Sequence, residues 1–293
     1  LNCSVKGLER EQAMPIITTR DDVKLHVKVW GEGRPVILIH GWPLSADSWD
    51  PQSWALAESG YKVIAYDRRG FGRSEQPWGG YDYDALSDDL ADVMQACGVA
   101  ENATLVGFSM GGGEVARYMS RHGGRGVSSI ALVSSVVPRM LKADDNPDGV
   151  PAATFETMTQ GMKTDRPRFM RQFLADFFGQ GMIVSSVSAE TVDWAWRLCM
   201  QAGLKPTLAC AEAFAKTDFR NDAAQIAVPT LVIHGTADAT VPIDATGRKA
   251  VQMIPGARLI EYPGAPHGLF ATHQERLTSD LLNFLADPAA ASR

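Results

Sequence analysis

One short string combines a nucleophile with the backbone freedom to expose it: Gly107-Phe108-Ser109-Met110-Gly111. The Gly and Ser content of the chain predicts about 0.15 chance occurrences of G-x-S-x-G, so its neighbours decide its meaning. Thr104-Leu105-Val106 before it reads as a strand, and residues 113–119 after it read as a helix. A strand–Ser–helix turn pushes the hydroxyl out on a sharp, strained bend, and small flanking residues let the two backbones approach. The helix start adds N–H donors and a positive dipole end for a developing oxyanion.

A serine nucleophile needs a general base, and the base needs an orienting acid. Asp238, in His234-Gly235-Thr236-Ala237-Asp238, follows a strand read at residues 230–233. His267, in Ala265-Pro266-His267-Gly268, follows one read at residues 257–262. Both fall on loops at strand C-terminal ends, the rim that carries Ser109. The other histidines fit less well. His26 lies in a strand, His122 ends a helix, His273 opens one, and His234 sits immediately upstream of the acid. The rival carboxylate Asp244 lies at a helix start and reads as a cap or surface residue. The loop after the strand ending near Ser134 offers Ser135 and Val136 and no carboxylate. His40-Gly41-Trp42-Pro43 follows a strand at residues 36–39, where a loop supplies a second oxyanion donor. The expected donors are the backbone N–H groups of Trp42 and Met110. His40 reads as a hydrogen-bonding brace of that loop, and Trp42 as part of a pocket wall.

These groups need a scaffold that brings strand ends together. Residues 24–30 alternate and predict an antiparallel edge strand. Residues 36–39, 62–66, 103–106 and 127–133 are short β-branched runs, the pattern of parallel strands buried on both faces. Between them, Leu86, Leu90, Val93, Met94 and Cys97 mark one helical face, with Gly98 where the helix stops. Strands at residues 230–233 and 257–262 and helices at 243–254 and 273–285 resume the alternation. The architecture is therefore α/β, a mostly parallel sheet covered on both sides. The stretch 138–227 differs. It has no obvious strand and holds seven of the eleven Phe. Phe169, Phe173 and Phe177 recur every four residues, so this stretch reads as a helical cap over the strand ends. The expected division is a core of residues 14–137 and 228–293 around that cap. Residues 1–13 are expected to be an appended or native extension with no fold role.

Composition narrows the partners. The 293 residues carry 28 Lys and Arg against 34 Asp and Glu, a net charge of −6 with no basic run, so nucleic acid is not expected. No run approaches the length of a membrane span. The first 13 residues lack the apolar segment of a secretory signal. Cys3, Cys97, Cys199 and Cys210 form no C-x-x-C pair and read as reduced thiols of a cytoplasmic protein. No H-E-x-x-H or clustered Cys/His set suggests a metal. Asp67-Arg68-Arg69-Gly70-Phe71-Gly72-Arg73-Ser74 reads as a structural loop in which Asp67 and Arg68 pair locally. It lacks the phosphate-binding glycine patterns.

Taken as a set, His40-Gly41-Trp42, the Asp67 to Ser74 stretch, Gly107-Phe108-Ser109-Met110-Gly111-Gly112-Gly113-Glu114, His234 to Asp238 and Ala265 to Gly268 resemble the α/β-hydrolase superfamily. Within it the chain is similar to the cofactor-free bacterial non-haem haloperoxidases (perhydrolases) and their aryl esterase relatives. The likeness runs from about residue 14 to 284, cap included. Phe108-Ser109-Met110-Gly111-Gly112-Gly113 is fairly specific to that group. The resemblance implies an eight-stranded α/β-hydrolase sheet with a helical cap insert. It implies Ser109, Asp238 and His267 as a catalytic triad, the Trp42 and Met110 amides as oxyanion hole, and no cofactor. The implied activities are hydrolysis of small carboxylic esters through an acyl-enzyme and perhydrolysis of short carboxylic acids by hydrogen peroxide. The peracid then oxidises bromide or chloride. Members of the group are often trimers or hexamers.

An apolar substrate pocket of modest size is expected from Trp42, Pro43, Phe108, Phe155, Phe173 and Phe214. Pro43 has a locked φ and no N–H, and biases Trp42 towards extended ψ. That places the Trp42 carbonyl where it would accept a hydrogen bond from attacking peroxide. Ser109 argues against a dehalogenase or epoxide hydrolase, which need a carboxylate at the elbow. The competing expectations are another enzyme on this fold (lactamase, C–C hydrolase or lyase) and a non-catalytic small-ligand sensor.

Overall fold

The computed structural model describes residues 16–180 and 187–289. The 1–13 extension and Cys3 lie outside the described residues. The chain opens with an antiparallel pair, β1 (Ile16–Thr18) against β2 (Lys24–Trp30). β3 (Arg34–Ile39), α1 (Asp50–Glu58), β4 (Tyr61–Tyr66), α2 (Tyr83–Ala96), β5 (Ala103–Phe108), α3 (Met110–Arg121) and β6 (Val127–Val133) complete the first half. The cap holds α4 (Ala152–Phe177), α5 (Ala189–Gln201) and α6 (Leu204–Lys216), and the short α7 (Arg220–Ala223) leads back to the sheet. The last block is β7 (Thr230–Gly235), α8 (Gly247–Met253), β8 (Arg258–Tyr262), α9 (Leu269–Thr272) and α10 (Gln274–Ala286).

The eight strands form one sheet in the order β1-β2-β4-β3-β5-β6-β7-β8. β2 pairs antiparallel with β4, and β4, β3, β5, β6, β7 and β8 run parallel. Every residue of β5 and β7 is buried, so both faces of the sheet centre are covered, as an all-parallel centre requires. The expected mostly parallel eight-stranded sheet is the observed one. One detail differs. β2 is not the edge, because β1 covers it; three residues are too short to show a period.

Local chemistry explains the helix ends. Asp82 caps α2 by accepting the Ala85 N–H at 3.0 Å, and Gly98 follows it at φ +67°. Within α4, Asp165 leaves helical geometry (φ −152°, ψ 80°) and its carboxylate accepts the Arg168 N–H at 3.1 Å. Asp165 thus caps a second helix that starts there, and Pro167 occupies its first turn, where no N–H is needed. The continuous stripe expected from Phe169, Phe173 and Phe177 therefore belongs to the second half of a kinked helix. α8 starts at Gly247, later than the 243–254 span suggests. No helix among the described residues is long and apolar enough to cross a membrane. Cys97, Cys199 and Cys210 are free thiols, the latter two buried.

Candidate active site

Ser109 sits between the last residue of β5 and the first of α3 with φ +54° and ψ −118°. A serine is rarely held there, and the surroundings over-determine it. Gly111 makes the bend possible: a Cβ would lie 2.5 Å from the Ile39 carbonyl oxygen. The first turn of α3 therefore presses against the end of β3. Ser109 is almost buried, at 6% exposure.

His267 follows β8 and is 1% exposed. Its Nδ1 lies 2.6 Å from Asp238 Oδ2, and its Nε2 lies 2.9 Å from Ser109 Oγ. A carboxylate only accepts, so Nδ1 carries the proton and Nε2 is left to accept from the serine. Asp238 follows β7. Its Oδ1 accepts the N–H groups of Thr240 (3.0 Å) and Val241 (2.8 Å), and His234 Nε2 lies 3.3 Å from Oδ2. Burial alone would raise the Asp238 pKa, but the adjoining His267 and His234 outweigh it and hold the carboxyl well below its usual range. The rival Asp244 pairs instead with Arg248 at the surface.

The loop after β3 reaches the same place. Gly41 permits this, because a Cβ there would lie 2.6 Å from the Phe108 ring and 3.0 Å from Ser109 Cβ. The Gly41 carbonyl accepts from His40 Nδ1 (2.9 Å) and from the Leu44 N–H (3.0 Å). With that oxygen held, the planar peptide aims the Trp42 N–H the opposite way. Met110 opens α3, so its N–H has no acceptor within the helix. The Trp42 indole N–H donates to the Thr207 carbonyl of α6 at 2.9 Å, and the ring meets Phe173 and Phe214 edge-on. The loop is thereby tied to the cap.

Above Ser109 lies a cavity of about 830 Å³. Trp42, Phe155, Phe169, Phe173, Phe214 and Val136 form apolar wall, and Thr164, Asp165, Arg168 and Asp176 of α4 line it too. Four of the expected pocket residues (Trp42, Phe155, Phe173 and Phe214) are there. Phe108 and Pro43 are not on the wall. Phe108 ends β5 pointing behind His267, its ring 5.0 Å from the imidazole and packed against Trp49 and Phe270. Pro43 is buried within the loop, after a cis Trp42–Pro43 bond. The cavity is also larger than expected, towards the upper end of ligand pockets. The long face of α4 extends it, a feature that the Phe pattern does not reveal. A further correction concerns the loop after β4. Asp67 pairs with Arg73 at 2.8 Å and not with Arg68, whose guanidinium turns inward to Glu114 of α3, also at 2.8 Å.

Comparison with known proteins identifies the family. The family model described as the alpha/beta hydrolase fold matches residues 34–274. The chain is 44% identical to the non-heme chloroperoxidase CPO-A1 of Kitasatospora aureofaciens, covering 93% of this chain and 99% of that one. It is 40% identical to the bifunctional esterase/perhydrolase DCH of Acinetobacter calcoaceticus, over 93% and 99%. Among solved structures, a bromoperoxidase from Bacillus anthracis superposes with a TM-score of 0.90 at 43% identity, over 93% and 99%. The chain belongs to the alpha/beta hydrolase fold family, alongside its non-heme haloperoxidases and esterase/perhydrolases.

Proposed function

We propose that this protein is a serine hydrolase of small carboxylic esters that also makes peracids from short carboxylic acids and hydrogen peroxide. The carrying observation is the unbroken chain from Ser109 Oγ through His267 to Asp238, at 2.9 and 2.6 Å, on the floor of an apolar cavity. Ser109 attacks the ester carbonyl as His267 Nε2 takes its proton, and Asp238 stabilises the imidazolium. The Trp42 and Met110 N–H groups receive the oxyanion. His267 returns the proton to the leaving group, the alcohol of an ester or a water molecule from a carboxylic acid, which leaves an acyl group on Ser109. Water or hydrogen peroxide then attacks the acyl carbon and gives up its proton to His267, which passes that proton to Ser109 Oγ as the acyl–serine bond breaks. Water yields the carboxylic acid, and peroxide yields the peracid. The released peracid oxidises bromide or chloride to the hypohalous acid and returns to the carboxylic acid. The cavity leaves room for an aryl alcohol beside a short acyl group.

The test pairs ester hydrolysis with peroxide-dependent bromination. Ser109→Ala should lower kcat for both by on the order of 10³–10⁶ with KM nearly unchanged. A variant within tenfold of wild type removes Ser109 from the mechanism. Bromination should need a carboxylic acid as well as peroxide. Full-rate bromination in carboxylate-free buffer would refute the peracid route.

A further inference from the structure

We propose that Arg68 and Glu114 are positioning residues: a buried strut that holds the two oxyanion donors in register with each other. The inference rests on the serine-hydrolase reading above and concerns two charges that reading does not use.

Both side chains are fully buried, at 0% exposure. Arg68 Nε donates to Glu114 Oε2 at 2.8 Å, and the Tyr66 hydroxyl donates to Glu114 Oε1. Glu114 stands four residues after Met110 on α3, one turn from the N–H that opens the helix. On its other side, Arg68 grips the loop after β3 twice. Its Nη2 donates to the His40 carbonyl at 2.8 Å, and its backbone N–H donates to His40 Nε2 at 3.0 Å.

The second of these bonds fixes the imidazole tautomer. An Nε2 that accepts an N–H carries no proton, so neutral His40 must carry it on Nδ1. That N–H then donates to the Gly41 carbonyl, 2.9 Å away. Burial, reinforced by the Arg68 charge, pushes the His40 pKa down to about 3, so this arrangement persists across ordinary pH. The opposite tautomer would point two N–H groups at each other across 3.0 Å and leave the Gly41 carbonyl with one donor fewer. The connections form one line: Trp42 N–H, Gly41 carbonyl, His40, Arg68, Glu114, α3, Met110 N–H. The two donors, one in the loop after β3 and one at the start of α3, are 68 residues apart in sequence (42 against 110), and Arg68 bridges their supports directly.

A buried ion pair contributes little net stability, because desolvation offsets the attraction. Its consequence here is geometric. An oxyanion site is effective when its donors need no rearrangement as the charge develops. Loss of the strut should therefore weaken binding of the tetrahedral species and leave substrate binding alone.

The experiment compares wild type, Glu114→Gln and the double variant R68M/E114M. The double variant removes the pair without stranding one charge, and Gln keeps the size and an acceptor. Three quantities are read on p-nitrophenyl acetate: kcat, KM and the Ki of phenylboronic acid, which mimics the tetrahedral species on serine. For the double variant kcat should fall about 100-fold, near the effect of losing one oxyanion donor. KM should stay within about twofold, and Ki should rise along with the fall in kcat. Glu114→Gln should lie between, at about tenfold. Unchanged kcat in a folded double variant overturns the proposal, and so does lost activity with unchanged Ki. If the double variant does not fold, Glu114→Gln decides by the same criteria. Wild-type protein that neither hydrolyses the ester nor binds the boronate refutes the serine-hydrolase reading itself, which is a separate outcome.

Discussion

The triplet Ile-His-Gly stands at two strand ends, Ile39-His40-Gly41 starting at the last residue of β3 and Ile233-His234-Gly235 closing β7. The two lie on either side of the strand that carries Ser109. In both, the imidazole is fully buried and one ring nitrogen faces a carbonyl of the following loop: Gly41 at 2.9 Å, Val241 at 2.8 Å. The uses then diverge. His40 braces a peptide whose N–H faces the site, and its second nitrogen is satisfied by the Arg68 N–H. His234 braces the turn that carries the acid and also lies 3.3 Å from that acid, while its Nδ1 has no hydrogen-bond partner among the described residues. One triplet supports a donor for negative charge, and the other supports a negative charge. The neighbours, not the triplet, set the difference.

The largest effect should come from the acid side. Asp238→Asn keeps the shape but offers an N–H to His267, which favours the wrong tautomer. We expect kcat to fall by on the order of 10⁴ with KM little changed. A loss below tenfold would mean that this arm only scaffolds the loop. On the donor side, Gly41→Ala places a Cβ 2.6 Å from the Phe108 ring and 3.0 Å from Ser109 Cβ. The loop must retreat, and kcat should drop by about 10² to 10³, the range for a lost oxyanion donor. A KM that rises while kcat holds would show that the loop shapes the pocket and not the oxyanion site.

Those two effects fall on parts that are legible in the sequence. Gly107, Gly111 and Gly41 are readable because each stands at a fixed offset from a strand end where a side chain would collide. The short β-branched runs are readable because strands buried on both faces admit little else. What stays hidden depends on distant or three-dimensional facts. Glu114 is 46 residues from Arg68, and adjacent Asp67 is the nearer partner in sequence, so local pairing is the natural but wrong inference. Phe108 is next to the nucleophile yet points behind His267, a direction that proximity in sequence does not convey. Asp165 and Pro167 do signal a helix start, but the aromatic stripe masks it.

His40 also makes the donor side sensitive to acid. Its native pKa is depressed to about 3 by burial and the Arg68 charge, whereas the unfolded imidazole titrates near 6.5. As pH falls from 6.5 towards 3 the unfolded chain takes up a proton that the native state refuses. Stability is therefore lost with falling pH, by up to about 1.4 kcal/mol per unit from this group. Denaturant unfolding from pH 7 to 4 measures the slope. In His40→Asn it should flatten by one proton, and an unchanged slope would place the acid sensitivity elsewhere.

The smallest effect should come from His234. Its Nε2 faces both the Val241 carbonyl and Asp238 Oδ2, and a carbonyl only accepts, so Nε2 carries a proton. That N–H is one of the influences holding the Asp238 pKa low, against the burial that raises it. His234→Leu removes the donor and leaves Asp238 with the Thr240 and Val241 N–H groups and His267. The carboxylate loses one of the groups that hold it ionised and becomes more basic, so its own protonation sets in at a higher pH. The acid limb of kcat/KM should therefore move to higher pH, with kcat on the plateau reduced less than tenfold, about what one hydrogen bond contributes. The other charges near His234 should not mask this. Glu261, its register partner on β8, is neutralised by Arg248 at 2.8 Å, and both remain in the variant. His234→Gln, which can restore an N–H towards Oδ2, should recover the wild-type limb. If Leu and Gln give the same profile, His234 acts only by filling space, and the contrast between the two triplets reduces to packing.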